Sequence, residues 1–295
     1  MSGTGQRCGH VAIVGRPNVG KSTLLNRLVG ARISITSAKA QTTRHRITGI
    51  LTRGDTQILF VDTPGFQTLH RSRLNTRMNA AVTQGLAGVD AVVVVLEAGR
   101  TVDADRAVVR LLPPGGRVVA ALNKVDQLKD KDMLLPQMAE LAELFPFAAI
   151  VPISAEKDRG LPALVDEVRK LLPAGSHVHG EDDITDRDER FLAAEFVREK
   201  IFRLLGEELP YATAVVIDRF VHEGTVRRIH ATVYVDRDNQ RAILLGAGGA
   251  KMKEIASSAR TEMERLFGGK VFLEVWVTVK RGWADDDAQL SRLGY

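Results

Sequence analysis

The stretch that decides the fold of the first half of the chain is HVAIVGRPNVGKST, residues 10–23. Its apolar start is followed by the pattern Gly-x-x-x-x-Gly-Lys-Ser and then by a segment with helical spacing, KSTLLNRLVG. The glycines of such a loop let successive backbone N–H groups turn toward phosphate oxygens, assisted by the positive end of the following helix. Because the full eight-residue pattern stands in its strand–loop–helix setting, it predicts a phosphate-binding loop.

The chemistry of this loop predicts a nucleotide and a metal ion. We expect Lys21 to reach the β- and γ-phosphates and the hydroxyl of Ser22 to bind Mg²⁺. The stretch DTPGF (62–66) ends a second apolar run. We expect Asp62 to supply a carboxylate to the same ion, directly or through water, and the Gly65 amide to meet the γ-phosphate. The other nucleotide contacts predicted in the loop are Gly15, Arg16, Pro17, Asn18, Val19, Gly20 and Thr23.

The stretch NKVD (123–126) follows another apolar run and predicts the choice of base. The carboxylate of Asp126 can accept two hydrogen bonds from the ring N–H and the exocyclic amine of guanine, and adenine has no such pair. A buried carboxylate left unpaired is costly enough to discriminate strongly between the two bases. We expect Asn123 to hold loops together and contact the base, and the stem of Lys124 to cover the purine. The backbone amides expected to meet the guanine carbonyl belong to Ser154, Ala155 and Glu156.

Up to Leu172, short apolar runs alternate with segments of helical spacing. Runs that are apolar on both faces are typical of a mostly parallel sheet with helices on both faces, which predicts an α/β domain over residues 1–173. A segment rich in Pro, Gly, Ser and acids predicts a linker at 174–187. Beyond it, over residues 188–295, the order helix–strand–strand–helix–helix–strand predicts a smaller α+β domain.

Composition and charge limit the functions that the chain can have. The net charge is +5, but the first 175 residues are positive and the remainder is negative. Binding of a polyanion by the second part must therefore depend on local geometry. The single cysteine, Cys8, excludes an internal disulfide framework and fits a reducing compartment. The longest apolar run, residues 91–96, is too short to span a bilayer, so we expect a soluble cytoplasmic protein.

Three stretches carry a family resemblance over nearly the whole chain. ISITSAKAQTTRHRITGI (33–50), ITDRDERFLAAEFVREKI (184–201) and WVTVKRGWADDDAQLSRLGY (276–295) resemble the Era family of GTPases. The resemblance implies a Ras-like GTPase domain followed by a type II KH domain, with GTP or GDP and Mg²⁺ bound to the first. It implies slow GTP hydrolysis and binding to ribosomal RNA during maturation of the small ribosomal subunit. We expect a monomer with no DNA partner, and peripheral association with the inner face of the cell membrane stays open.

The same resemblance bears on hydrolysis. In this family QTTRH (41–45) is the first switch, so Thr43 is chosen as a Mg²⁺ ligand, although spacing does not separate it from Thr42. Phe66 stands where Ras-type enzymes carry a polar side chain that orients water. In related GTPases an asparagine at the position of Asn18 helps to hold K⁺ against the phosphates, which supplies positive charge where negative charge accumulates. The residues expected to serve catalysis are Lys21, Thr43, Gly65 and Asn18; Gln67 is not assigned a part.

In the second domain, LLGAGGAKMKEI (244–255) contains Gly-x-x-G between two helices. A KH domain uses this turn to bring its backbone close to single-stranded nucleic acid, with the bases in the adjacent apolar groove. The two intervening residues are not basic, so phosphate contact must depend on amides and on nearby lysines. The predicted RNA contacts are Gly246, Ala247, Gly248, Gly249, Lys251 and Lys253. Trp276 and Trp283 could stack on bases, but Trp276 alternates with valines and is expected to pack into the sheet.

Two other classes of function compete with this interpretation. One is an ATP-using P-loop kinase or transport ATPase, against which NKVD argues. The other is a non-catalytic RNA-binding scaffold in which GTP only holds the domains together, as Phe66 could suggest.

Overall fold

The structure is a computed structural model that describes residues 5–36, 46–63, 65, 86, 88–113, 115, 117–205, 209 and 213–283. Thr42, Thr43, Phe66 and Gln67, on which the sequence expectations about the switch and about water depend, lie outside these residues. The chain divides into two compact units, the first ending at Asp186 and the second beginning its main stretch at Arg187.

The first unit is built on a six-stranded sheet in the order β2-β3-β1-β4-β5-β6. Neighbouring strands run parallel except for β2, which is antiparallel to β3. Every residue of β3 and β5 is buried, so both faces of the sheet are covered, as their continuous apolar sequences predict. The strands are β1 (Arg7–Val14), β2 (Ile47–Arg53), β3 (Thr56–Asp62), β4 (Ala91–Glu97), β5 (Val118–Asn123) and β6 (Ala149–Pro152).

Helices connect these strands and bury one apolar stripe each. In α1, for example, Leu24, Leu25 and Leu28 are buried at the spacing that one helix face requires. The helix ends at Gly30, whose φ of 77° suits a glycine after a C-terminus. The helices described in this unit are α1 (Lys21–Val29), α2 (Asp103–Val109), α3 (Leu134–Leu144) and α4 (Leu161–Leu171).

The second unit has a three-stranded sheet in the order β7-β8-β9, with β7 antiparallel to β8 and β8 parallel to β9. In β8 the residues Ile229, Ala231 and Val233 are fully buried while their neighbours are not, so one face of the sheet carries the core. The elements are α5 (Glu189–Leu204), β7 (Thr213–Glu223), β8 (Val226–Val235), α6 (Asp238–Leu245), α7 (Ala250–Phe267) and β9 (Lys270–Val279). The predicted fold class, an α/β unit followed by a smaller α+β unit, is confirmed.

Residues 174–185, within the segment predicted as a linker, lie along the sheet of the first unit. The side chain of Gln57 is fully buried, and its Oε1 accepts hydrogen bonds from the N–H groups of Val178 (2.8 Å) and His179 (3.0 Å). Further along, the N–H of Ile50 donates to the carbonyl of Ile184 (2.9 Å). The segment predicted as a linker thus pairs part of its backbone with the first unit, through the buried side chain of Gln57 and through Ile50.

The two tryptophans differ from the expectation. Trp276 is 60% exposed, whereas Trp283 is fully buried. The prediction that Trp276 packs into the sheet is wrong: strand residues alternate between faces, and the indole lies on the face opposite the half-buried Val275 and Val277. Within the part of the chain that the structure describes, no helix has the length and apolar character needed to cross a membrane.

Candidate functional site

The phosphate loop connects β1 to α1. At two of its positions the backbone has a conformation and surroundings that only glycine accepts. Gly15 has φ 156°, and a Cβ there would lie 2.5 Å from the carbonyl oxygen of Val95. Gly20 has φ 100°, and its Cβ would lie 2.4 Å from Nδ2 of Asn123. Asn18, between them, also has a positive φ of 65°. Such a sequence of conformations turns amide N–H groups to one side, which makes an anion-binding concavity.

Lys21 is the charged group of this concavity. Its side chain is almost completely buried, and Nζ donates to the carbonyl oxygens of Gly15 (3.1 Å) and Arg16 (3.0 Å). Burial lowers the pKa of Lys21 to about 8, an effect that nearby Asp62 partly opposes and Arg16 reinforces. An ammonium group held under these conditions is stabilised by a phosphate, because the negative charge of the phosphate compensates for the water that burial has removed.

The carboxylate of Asp62 lies beside the start of α1 and accepts hydrogen bonds from two hydroxyl groups. The Oγ atoms of Ser22 and Ser34 donate to its Oδ2 at 2.8 and 2.9 Å. Parallel pairing of Ile13 with Asp62 brings the end of β3 next to the phosphate loop. Oxygen donors with one carboxylate fit Mg²⁺, which takes one or two protein carboxylates and completes its coordination with water and phosphate oxygens.

Gly65 lies directly against the phosphate loop. A Cβ on Gly65 would come within 3.0 Å of three atoms of Pro17. The hydroxyl of Thr63, two residues earlier, donates to the carbonyl of Ile13 (2.9 Å), which holds Thr63 against β1. The structure therefore places Gly65 beside the loop, where a larger residue would have to displace Pro17.

Asn123, at the end of β5, ties the phosphate loop to the loop after β6. Its Nδ2 donates to the carbonyl of Val19 (2.8 Å), and its Oδ1 accepts from the N–H of Ala155 (2.9 Å). Asp126 is half-buried and accepts a hydrogen bond from the hydroxyl of Ser154 through Oδ1. The residues predicted to read the base thus lie together, and they are linked to the residues predicted to hold the phosphates.

Sequence reasoning missed Glu97 and Asp105, which bracket Arg16. Arg16 pairs with Glu97, and its Nε donates to Oδ1 of Asp105 (3.0 Å). Lys124 Nζ lies 3.5 Å from the same Glu97 carboxylate. Burial by itself would raise the pKa of Glu97, but the Arg16 hydrogen bond and the Lys124 charge together lower it. Burial raises the pKa of Asp105 and outweighs the hydrogen bonds to its carboxylate.

A usable signal for Glu97 existed in the sequence. Glu97 ends β4 and pairs in register with Asn123, which ends β5. Ligands of open α/β sheets lie outside the carboxyl ends of the strands. A charged residue at that edge was therefore a candidate from its position alone.

The Gly-x-x-G stretch forms a tight turn between α6 and α7. Positive φ values occur at Gly246 (68°), Gly248 (58°) and Gly249 (81°), and Ala247 and Gly248 are exposed. Ile243, one turn earlier, is 55% exposed, so the turn has an apolar neighbour. Lys253 is exposed, whereas Lys251 Nζ pairs with Glu254 at 3.0 Å. The turn can bring bare backbone and a lysine to a phosphate chain.

Comparison with known proteins decides the family. A model described as "50S ribosome-binding GTPase" matches residues 10–124, and a model described as "KH domain" matches residues 208–284. GTPase Era of Nitrosomonas eutropha is 55% identical over 295 residues, covering 100% of both chains. GTPase Era of Stenotrophomonas maltophilia is 52% identical over 293 residues, which is 99% of this chain and 98% of the relative. The chain belongs to the Era family of GTPases.

Solved structures of Era agree with this assignment. A variant of Aquifex aeolicus Era bound to GDP·AlF4⁻ superposes with a TM-score of 0.94 at 37% identity, covering 98% of this chain and 99% of that one. An Era structure in complex with MgGDPNP and nucleotides 1506–1542 of 16S ribosomal RNA has the same score, identity and coverage. The predicted family and enzyme class are confirmed, and the kinase and scaffold alternatives are set aside. The roles of individual residues in this Era family member stay predictions.

Proposed function

We propose that this GTPase binds GTP and GDP with Mg²⁺ in the first unit and hydrolyses GTP slowly. The observation that carries the proposal is the pair of hydrogen bonds made by the side chain of Asn123. One binds the phosphate loop at Val19, and the other binds Ala155, beside the residues predicted to recognise the base. Asp126 binds guanine, Lys21 binds the β- and γ-phosphates, and the remaining contacts are those predicted from the loop. A relative of the same fold is described with GDP·AlF4⁻ and another with MgGDPNP, which supports these ligands.

Each protein group has a task that its surroundings allow. Ser22 and Asp62, whose Oγ and Oδ2 atoms lie 2.8 Å apart, would hold Mg²⁺ together with Thr43. The bound ion would supply positive charge against the β- and γ-phosphates. The Gly65 amide approaches the γ-phosphate because Gly65 lies against Pro17. Glu97 pairs with both Arg16 and Lys124 and so keeps these two cations in place.

Slow hydrolysis follows from the residue after Gly65. Phe66 has no polar atom with which to orient water, so the nucleophile depends on backbone groups or on a bound cation. We assign Asn18 to a K⁺ ion held against the phosphates. The exposed side chain of Asn18 and its φ of 65° support this assignment, since they leave the amide at the mouth of the loop.

The second unit binds small-subunit ribosomal RNA at the Gly246–Gly249 turn, and the protein acts in maturation of the small ribosomal subunit. The relative in complex with nucleotides 1506–1542 of 16S ribosomal RNA supports this partner. We assign residues 1–173 to the GTPase domain, 174–187 to the linker and 188–295 to the KH domain. The protein acts as a cytoplasmic monomer, and peripheral association with the inner face of the cell membrane would be a separate property.

The RNA assignment is tested at the middle of the turn. Gly246 is a poor site for substitution, because a Cβ there would lie 2.7 Å from Cβ of Lys251. Ala247 is exposed and already carries a Cβ, and Gly248 has open space and a left-handed backbone that Asp and Asn accept. The double variant Ala247→Asp with Gly248→Asp therefore adds negative charge to the path of a phosphate chain at little cost to folding.

The matched control is Ala247→Ser with Gly248→Asn, which fills the same positions without charge. Binding of 16S ribosomal RNA nucleotides 1506–1542 should fall by at least about tenfold in the Asp variant and little in the control, since repulsion opposes each phosphate contact. GTP hydrolysis without RNA should be the same in all three proteins. Equal RNA affinity in the Asp variant would place the RNA surface elsewhere.

A further inference from the structure

The sheet of the second unit has a second face, which no helix of the described residues covers. The buried residues of β8, Ile229, Ala231 and Val233, share one face of the sheet, which we call the inner face, and α5 and α7 pack against the neighbouring strands β7 and β9. The alternate residues point the other way, and register pairs them as Arg228 with Phe272, His230 with Glu274, Thr232 with Trp276 and Tyr234 with Thr278. We call the surface made by these eight residues the outer face.

Two large rings stand exposed on the outer face. Trp276 is 60% exposed and Phe272 is 43% exposed. They are four residues apart on one strand and therefore about 13 Å apart. Among the described residues Trp276 has no ring or cation partner, so no such group occupies its exposed indole surface. Exposed aromatic rings at this spacing on a sheet are the platform on which several RNA-binding domains stack unpaired bases.

Positive charge accompanies the rings. The guanidinium of Arg228 lies 4.7 Å from the centroid of Phe272, and Lys280 Nζ lies 5.4 Å from that of Tyr234. The acids here have partners of their own. Glu274 lies 3.0 Å from Nδ1 of His230, Glu223 pairs with Arg228 at 2.9 Å, and Asp218 accepts the hydroxyl of Thr232.

Lys280 and Arg219 make no ion pair within the described ranges, so they remain for phosphates. Arg219 pairs in register with His230 and thus lies on the same face. Rings for bases beside cations for phosphates are the combination that single-stranded nucleic acid binds.

We propose that the outer face is a second RNA-binding surface, on which Trp276 stacks with an unpaired base of the RNA held at the Gly246–Gly249 turn. This inference rests on the proposed function. A KH groove clamps roughly four nucleotides, whereas the RNA in the Era complex spans nucleotides 1506–1542. Both helices that flank the turn, α6 and α7, contact β9, and β9 is an edge strand of the described sheet. RNA bound at the turn therefore has a short path around β9 to the outer face.

The test compares two RNAs and three substitutions in the full-length protein. The long probe is 16S ribosomal RNA nucleotides 1506–1542, and the short probe is a single strand of about six nucleotides from its 3′ end, enough for the groove alone. Trp276→Ala should weaken binding of the long probe by about tenfold, the size that loss of one base–aromatic stack produces. It should leave the short probe and the GTPase rate without RNA unchanged.

The controls separate stacking from folding. Trp276→Phe keeps a ring and should restore most of the affinity. Leu135→Ala removes an exposed apolar side chain from the first unit, outside the outer face, and should have no effect. Trp276 and Trp283 are the two tryptophans of the chain, and Trp283 is buried. The long probe should therefore protect the emission of the wild type from acrylamide quenching, and this protection should vanish in Trp276→Phe.

Three outcomes overturn the inference. Trp276→Ala could bind the long probe like the wild type, or lose both probes equally, which would mean a general defect. The wild type could also self-associate through Trp276 while RNA affinity does not depend on that residue. The outer face would then bind a second copy of the chain and not RNA. Failure of the wild type to bind either probe would instead refute the proposed function itself, so the two ideas fail in different ways.

Discussion

Replacing Lys21 with Met should reveal the energetic cost of burying an ammonium group in the phosphate loop. The pKa of Lys21 is lowered from 10.5 to about 8, first of all by burial. Each unit of pKa difference corresponds to about 1.4 kcal/mol, so the charged form costs the folded protein roughly 3 kcal/mol at pH 7. Methionine has a similar length and carries no charge. The substitution removes the two hydrogen bonds from Lys21 to the carbonyls of Gly15 and Arg16, which are worth about 1 kcal/mol each or somewhat more.

These opposing effects nearly cancel at pH 7, so the informative quantity is the pH dependence of stability. The folded-state pKa of Lys21 lies below the unfolded-state value, so both states carry the proton below about pH 8 and the cost is fully present. Between about pH 8 and 10.5 only the unfolded state retains the proton, and the stability of the wild type rises. Relative to Lys21→Met, the wild type should gain about 2–3 kcal/mol between pH 7 and pH 10.

Urea unfolding of the nucleotide-free protein, followed by circular dichroism at several pH values, measures this difference. The transition to analyse is the one that added GDP shifts to higher urea, because ligand stabilises the unit that binds it. Lys170→Met is the control, since Lys170 is an exposed lysine of the same unit. Saturating MgGTP should abolish the alkaline gain, because phosphates stabilise the ammonium. Parallel pH curves for wild type and Lys21→Met would refute the reasoning.

Three further predictions concern single side chains. Asp126→Asn replaces an acceptor with a donor, so competition binding should show preference moving from GTP to xanthosine triphosphate; no change for either nucleotide would contradict the base-reading role. Gln57→Leu should leave the N–H groups of Val178 and His179 without their acceptor. Their hydrogen-exchange rates should rise, and the free energy of unfolding should fall by about 1–3 kcal/mol. Unaltered exchange rates would mean that other contacts hold residues 174–185. GTP hydrolysis should be faster in KCl than in NaCl at equal ionic strength. Asn18→Gly accepts the left-handed backbone of this position and should reduce the preference for KCl. Equal rates in both salts would exclude a role for K⁺ in hydrolysis.

The parts of the fold that were predictable depend on local patterns. The run HVAIVG must be a strand buried from both sides, and the glycines after it must turn the backbone, because Gly15 and Gly20 adopt conformations that a side chain would obstruct. The same applies to NKVD, where a carboxylate with a fixed hydrogen-bonding pattern follows a buried strand. Chemistry of this kind is carried by neighbouring residues and needs no knowledge of the rest of the chain.

The roles of Glu97, Gln57 and Trp276 were not predictable in this way. Glu97 meets Arg16 and Lys124 only because three strands end at one edge of the sheet. Gln57 accepts hydrogen bonds from the backbone of residues 178 and 179, which lie more than a hundred positions later in the chain.

The sequence by itself determined the two units, the phosphate loop and the preference for guanine, because each follows from spacing within a few residues. Only the tertiary structure decided which charges balance one another and which rings face solvent. Trp276 shows the difference most clearly. Alternation along β9 places it opposite its valine neighbours, but packing of α5 and α7 on one face of the sheet decides that this opposite side is exposed.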